Sequence, residues 1–239
     1  MATTTTATAA PVGSHVATPS QREKAIVPGH TGYLNEGQNG YQGHIRRRAN
    51  PAPLGLFSFA TTTLLLSLIY AHARHASQAN VIVGLALALG GLAEFVAGIF
   101  EFCVGNTFGM TAFCSYGAFY FAIGIMFWPT SGVFTSYTDT GLDAALGLFM
   151  MAWMVFTFFM LLATFRSSMG LVALFFFLTL TFMLLGIGYF RSSISVLKAG
   201  GWFGIIVSLI AFYVGAHSLL ESEAAPFALP NPSLARKNL

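Results

Sequence analysis

The chain has 239 residues, of which 55% are hydrophobic and only 8% charged, with a formal net charge of +3. A water-facing domain carries roughly a quarter charged residues, so this composition excludes an ordinary soluble fold, and 24 Phe are more than a soluble interior of this length would hold. The positive charge is too weak and scattered to suggest nucleic acid, and Cys103 and Cys114, in or beside apolar segments, read as small hydrophobes rather than a disulfide scaffold.

Residues 1–49 are polar, rich in Thr, Gly and Gln, and lack helical periodicity, so they read as a disordered leader without chemistry of its own. Residues Met1 to Gly13 have neither the basic n-region nor the apolar h-region of a cleavable signal peptide, so insertion is expected to depend on the first helix. Six apolar stretches follow, from about Pro53 to His72, Val81 to Val104, Met110 to Trp128, Leu142 to Phe165, Leu171 to Phe190 and Trp202 to Leu220. Each approaches the roughly 20 residues that cross a bilayer core, and the third is the shortest. They are too long and continuous for barrel strands. A helix also satisfies its own backbone where no water can. The expected fold is therefore an all-α integral membrane protein of six transmembrane helices. Its expected parts are the leader 1–49, a transmembrane unit 50–221 and a short C-terminal tail 222–239.

Basic residues set the orientation. With the N-terminus in the cytoplasm, Arg22, Lys24, Arg46, Arg47, Arg48, Arg166, Arg236 and Lys237 lie inside, and only Arg74, Arg191 and Lys198 outside. Both termini are thus expected in the cytoplasm, with Trp128 and Trp202 as interfacial anchors. In the second stretch Gly84, Ala88, Gly91 and Gly98 predict a small-residue face for close helix packing.

The string Asn50-Pro51-Ala52-Pro53-Leu54-Gly55-Leu56 opens the first helix. Asn is a good N-cap and Pro is tolerated in a first turn, although the two prolines remove N–H donors that could attract an anion. This string resembles the signature of the acetate transporter family, also called Gpr1/Fun34/YaaH. So do GGLAEFVAGIFE (residues 90–101) and NTFGMTAFCSYG (residues 106–117), and, more loosely, residues 184–188 and 199–204. The likeness covers about residues 50–220, and the long leader resembles that of a fungal member.

The resemblance implies a hexamer in the plasma membrane, with a substrate pathway inside each protomer for acetate and similar short monocarboxylates. It implies a hydrophobic constriction of Phe59, Tyr116 and Leu178. On residue type alone Phe59 and Leu178 could equally be packing residues. The Tyr116 phenol needs a partner at membrane depth. Thr61, Thr62 and Thr63 offer further hydroxyls, with back-bonding to helix carbonyls as the plainer expectation for at least one.

Carboxyl groups within a span are functional candidates by default. Glu94 and Glu101, seven apart, share one helix face. Glu101 matches an acidic position of the resemblance and could act in transport or simply bond Asn106. Glu94 departs from it, since an amide is usual there; its carboxyl could shuttle a proton or, ionised, repel an anion. With Asn50, Thr62, Asn106 and Thr111, these two form the polar candidates of the pathway. His217 reads as an interfacial residue. No H-E-x-x-H, G-x-S-x-G, Walker A or C-x-x-C pattern is present, so the sequence gives no basis for a metal, a cofactor or an enzyme. Three functions are weighed: acetate passage, channel-like or proton-coupled; ammonium export on the same fold, which two carboxyls would suit; and acetate sensing with little flux.

Overall fold

The computed structural model describes residues 49–75, 80–138, 141–222, 227 and 229–234. Nearly all of the leader, and with it Arg46–Arg48, lies outside the described residues. Six helices are long and apolar enough to cross a membrane: α1 (Ala52–Tyr70), α2 (Ile82–Cys103), α3 (Thr107–Phe127), α4 (Gly141–Thr164), α5 (Met169–Phe190) and α6 (Ile194–Ser222). Among the described residues there is no β-strand, only an isolated bridge between Ser168 and Ser233. The chain is an all-helical, multi-pass membrane protein. Its outward faces carry exposed Leu148, Phe159, Trp202 and Leu209, a surface suited to lipid rather than water.

Four details differ from the sequence expectation. The shortest helix is α1, not the third. The sixth begins at Ile194 rather than Trp202, so Lys198 lies within its first two turns instead of in a loop. The third begins at Thr107, where Asn106 caps it by accepting a hydrogen bond from the Gly109 N–H at 3.0 Å. The largest difference is in α2: its middle, Ala86–Ala93, is a π-helix between α-helical Ile82–Leu85 and Glu94–Cys103. A π-turn adds a residue and so rotates the helical turns on its N-terminal side relative to those on its C-terminal side. The predicted stripe of small residues is therefore broken. Gly84 and Ala88 are exposed, while Gly90, Gly91 and Gly98 are buried.

The buried glycines set how closely α2 meets α3. A Cβ on Gly98 would lie 2.5 Å from Cys114 Sγ, and one on Gly117 would lie 2.9 Å from the Phe95 backbone nitrogen. The chain passes from α2 to α3 through Gly105, whose φ of +80° is open to glycine at little cost.

Packing runs in the order α3, α2, α1, α6, α5, α4. The backbones of α3 and α4 have little close contact, and aromatic side chains fill the space between them. Phe119 stacks on Phe149 and meets Trp153 edge-on, with ring centroids 5.7 and 5.0 Å apart, and Tyr116 lies 5.8 Å from Trp153.

Residues 229–234, read from sequence as part of a tail, fold back on the bundle. The Tyr213 hydroxyl donates to the Pro230 carbonyl, His217 Nδ1 bonds the Leu229 carbonyl (2.7 Å), and Asn231 Oδ1 accepts from the Gly170 N–H (3.1 Å). Met169 N–H donates to the Pro232 carbonyl, and Leu234 N–H to the Ser167 carbonyl. This strap joins the end of α6 to the start of α5.

Candidate functional site

Two cavities lie end to end along the bundle. The larger, of about 220 Å³, sits at the end where α1, α3 and α5 begin and α2 and α6 finish. Leu56, Phe113, Leu174 and Phe175 give it an apolar wall, and Glu94, Glu101, Asn106 and His217 are among its polar members. The smaller, of about 30 Å³, lies toward the other end among Thr63, Ser67, Tyr70, Tyr120 and Thr181, with room for about one or two waters. Phe59, Tyr116 and Leu178 line both cavities, and no other described residue does.

These three come from α1, α3 and α5 and are nearly inaccessible, at 5%, 2% and 3% exposure. Tyr116 is held on several sides. Its ring lies 5.6 Å from Phe59, edge-on, 5.7 Å from Phe156 and 6.1 Å from Phe175. Its hydroxyl shares a 2.8 Å hydrogen bond with Thr157 of α4. Thr157 was missed in the sequence; the available signal was a hydroxyl in the middle of α4 between Phe156 and Phe158. On the side of the smaller cavity, Tyr120 shares a hydrogen bond with Thr63, and Tyr70 with Tyr189 at 2.8 Å.

Glu94 and Glu101 both line the large cavity, so the seven-residue spacing did bring them together; that stretch of α2 is regular α-helix. Glu101 Oε2 accepts a 2.7 Å hydrogen bond from Asn106 Nδ2, while Oε1 has no partner. Glu94 is fully buried and neither of its oxygens has a partner.

Other candidates fall elsewhere. Asn50 precedes the Pro51 N-cap of α1; it accepts from Ala52 N–H (3.1 Å) and donates to Ser218 Oγ of α6 (2.9 Å), but does not line the cavity. Thr62 donates to the Ser58 carbonyl and packs toward Gly90, and Thr111 donates to the Thr107 carbonyl. Neither threonine lines either cavity, and each hydroxyl satisfies a carbonyl of its own helix. His217 is not merely interfacial: it lines the large cavity, with Nε2 3.5 Å from Glu221 Oε2. Ser218, Glu221 and Asn231 join it there and were not anticipated. Among the described residues no cluster of three or more His, Cys, Asp or Glu could hold a metal.

Comparison with known proteins agrees with this architecture. The chain is 40% identical to acetate permease A of Emericella nidulans over 230 residues, covering 91% of this chain and 75% of that protein. It is 41% identical to ammonia transport outward protein 2 of Saccharomyces cerevisiae over 194 residues, covering 78% of this chain and 69% of that one. The solved structure of the bacterial acetate channel SatP superposes with a TM-score of 0.70 at 36% identity, covering 78% of this chain and all of that one. The model of the GPR1/FUN34/yaaH family matches residues 31–236, and the chain belongs to that family.

Proposed function

We propose that this protein carries acetate and related short monocarboxylates across a membrane, through a path inside each protomer from the large cavity past Phe59, Tyr116 and Leu178 into the small one. The observation that carries the reading is that these three residues alone line both cavities. The relatives and the solved channel named above give the substrate class. An apolar constriction bearing a single phenol suits a solute with a methyl end and a carboxylate end. Once dewetted, it opposes the leak of hydrated ions. Glu101, held by Asn106, and Asn50, tied to Ser218, order the wide entrance.

The basic-residue bias supports a cytoplasmic location for both termini and hence for the wide entrance. The plasma membrane is the proposed location and a hexamer the proposed assembly. The protein acts as a transporter, not an enzyme.

The test is uptake of labelled acetate by liposomes holding the purified chain, with and without an inward proton gradient and beside Tyr116→Ala. Uptake above empty liposomes supports the reading, and its rise with the gradient separates coupled transport from channel-like passage. No acetate flux sinks it. The unpartnered oxygens of Glu94 and Glu101 favour one second reading, ammonium passage, which the same liposomes test with a labelled ammonium analogue.

A further inference from the structure

A buried polar group without a partner is costly to maintain, and each one in a folded protein calls for a reason. Glu94 is such a group. It is fully buried, it lines the large cavity, and neither carboxyl oxygen has a hydrogen-bond partner.

Its surroundings offer no counter-charge. On its own helix, Glu101 lines the same cavity and is itself acidic. From α3, Tyr116 and Tyr120 lie within its electrostatic reach, and their hydroxyls are already engaged by Thr157 and Thr63. Cys114, also of α3, packs against Gly98, with its thiol directed to the Phe95 carbonyl. From α6, His217 and Glu221 stand at the mouth and are joined to each other. The parts of α1 and α5 that line the cavity contribute no titratable side chain. Among the described residues none supplies the partner Glu94 lacks, and a polar group that enters the chamber can.

Two ionised carboxylates at hydrogen-bonding distance, one of them buried as Glu94 is, repel strongly. One proton held between them replaces that repulsion with a short O–H···O⁻ bond. We propose that Glu94 is the proton site through which this chamber takes up a carboxylate: one proton and one substrate carboxylate bind as a pair, the Glu94 O–H donating to a substrate oxygen. The inference rests on the carboxylate reading above and specifies where its proton sits. One O–H bond of a hydronium ion breaks and one forms at Glu94, leaving water, and no bond between heavy atoms changes. The proton is drawn from water at the mouth and shared between the two carboxyl groups while the substrate is bound.

The test is acetate uptake by proteoliposomes over a series of pH values kept equal on both sides, with KM expressed as acetate anion. Uptake of one proton with the substrate raises the wild-type KM by up to about tenfold per pH unit. Glu94→Gln, which keeps the shape and a fixed donor, is expected to flatten this to less than about twofold per unit while flux stays above empty liposomes. His217→Gln is expected to keep the wild-type slope. A wild-type slope in Glu94→Gln, or loss of the slope in His217→Gln, overturns the proposal. Wild-type protein that moves no acetate defeats the carboxylate reading itself and the proposal with it, an outcome distinct from normal flux with an unchanged slope. Infrared difference spectra with carbon-13 acetate guard against a variant that fails to insert. Wild-type protein should show a carboxyl band altered by acetate, and a spectrum without one also overturns the assignment.

Discussion

The hydrogen bond between Tyr116 and Thr157 can be weighed by a double-mutant cycle. Tyr116→Phe removes only the hydroxyl, since the ring contacts with Phe59, Trp153, Phe156 and Phe175 remain. The freed Thr157 hydroxyl can then turn to the carbonyl one turn back in α4, so the expected loss is about 1 kcal/mol or less. Thr157→Val is worse, because a buried phenol is left with no partner, a cost of about 1–3 kcal/mol. Interhelical hydrogen bonds within membranes couple by about 0.6 kcal/mol on average and about 1.7 at most. This one is 2.8 Å long between groups 2% and 0% exposed. That places the expected coupling in the upper half of the range, about 1–1.5 kcal/mol. The assay is unfolding in mixed micelles, followed by far-ultraviolet circular dichroism, for both single variants and the double. Additive losses, or a Tyr116→Phe variant weaker than Thr157→Val, would refute the reasoning.

Three further outcomes are expected. Gly117→Leu drives a side chain into the α2 backbone at Phe95 and should lower stability by about 1–3 kcal/mol or more, visible as an early thermal transition in detergent. Asn106→Ala removes the cap of α3 together with the Asn106 bond to Glu101, and should cost about 1–3 kcal/mol by the same measurement; a loss below about 0.5 would show that the cap is not needed. Cys103 is exposed at the end of α2 beside the wide entrance, whereas Cys114 is half-buried. An impermeant thiol reagent should label Cys103 first, and from the cytoplasmic side; labelling from outside would reverse the proposed orientation.

The six spans were legible because length and continuity of apolar residues are one-dimensional properties. Their ends were less so. Lys198 and the serines before it resemble a loop, yet the chain is helical from Ile194. Pairing Glu94 with Glu101 succeeded because the intervening helix is regular, and the glycine stripe failed because a π-segment interrupts it. Period counting assumes 3.6 residues per turn and cannot detect an added residue. Residue type identified Thr62 and Thr111 as hydroxyls, but not which way each faced. The place of Asn231 in the cavity wall was hidden for another reason: it depends on a strap that returns from beyond the last helix, and nothing local in the sequence announces that return.

The filling between α3 and α4 has a consequence in time. Where α2 meets α3 the backbones lie close, as at Gly98 and Gly117, and parting them would break packing along whole turns. Between α3 and α4, where Tyr116 stands, the seam is made of rings. Widening such a seam needs side chains to change rotamer, while the six backbones keep their places. Tyr116 and Phe119 are buried, at 2% and 4% exposure, so they turn more slowly than the nanoseconds of exposed side chains, but their turning needs no collective helix motion of microseconds to milliseconds. With solute passing at Tyr116, the path would open by ring rotation alone, which is closer to the working of a pore than to that of a rocking carrier.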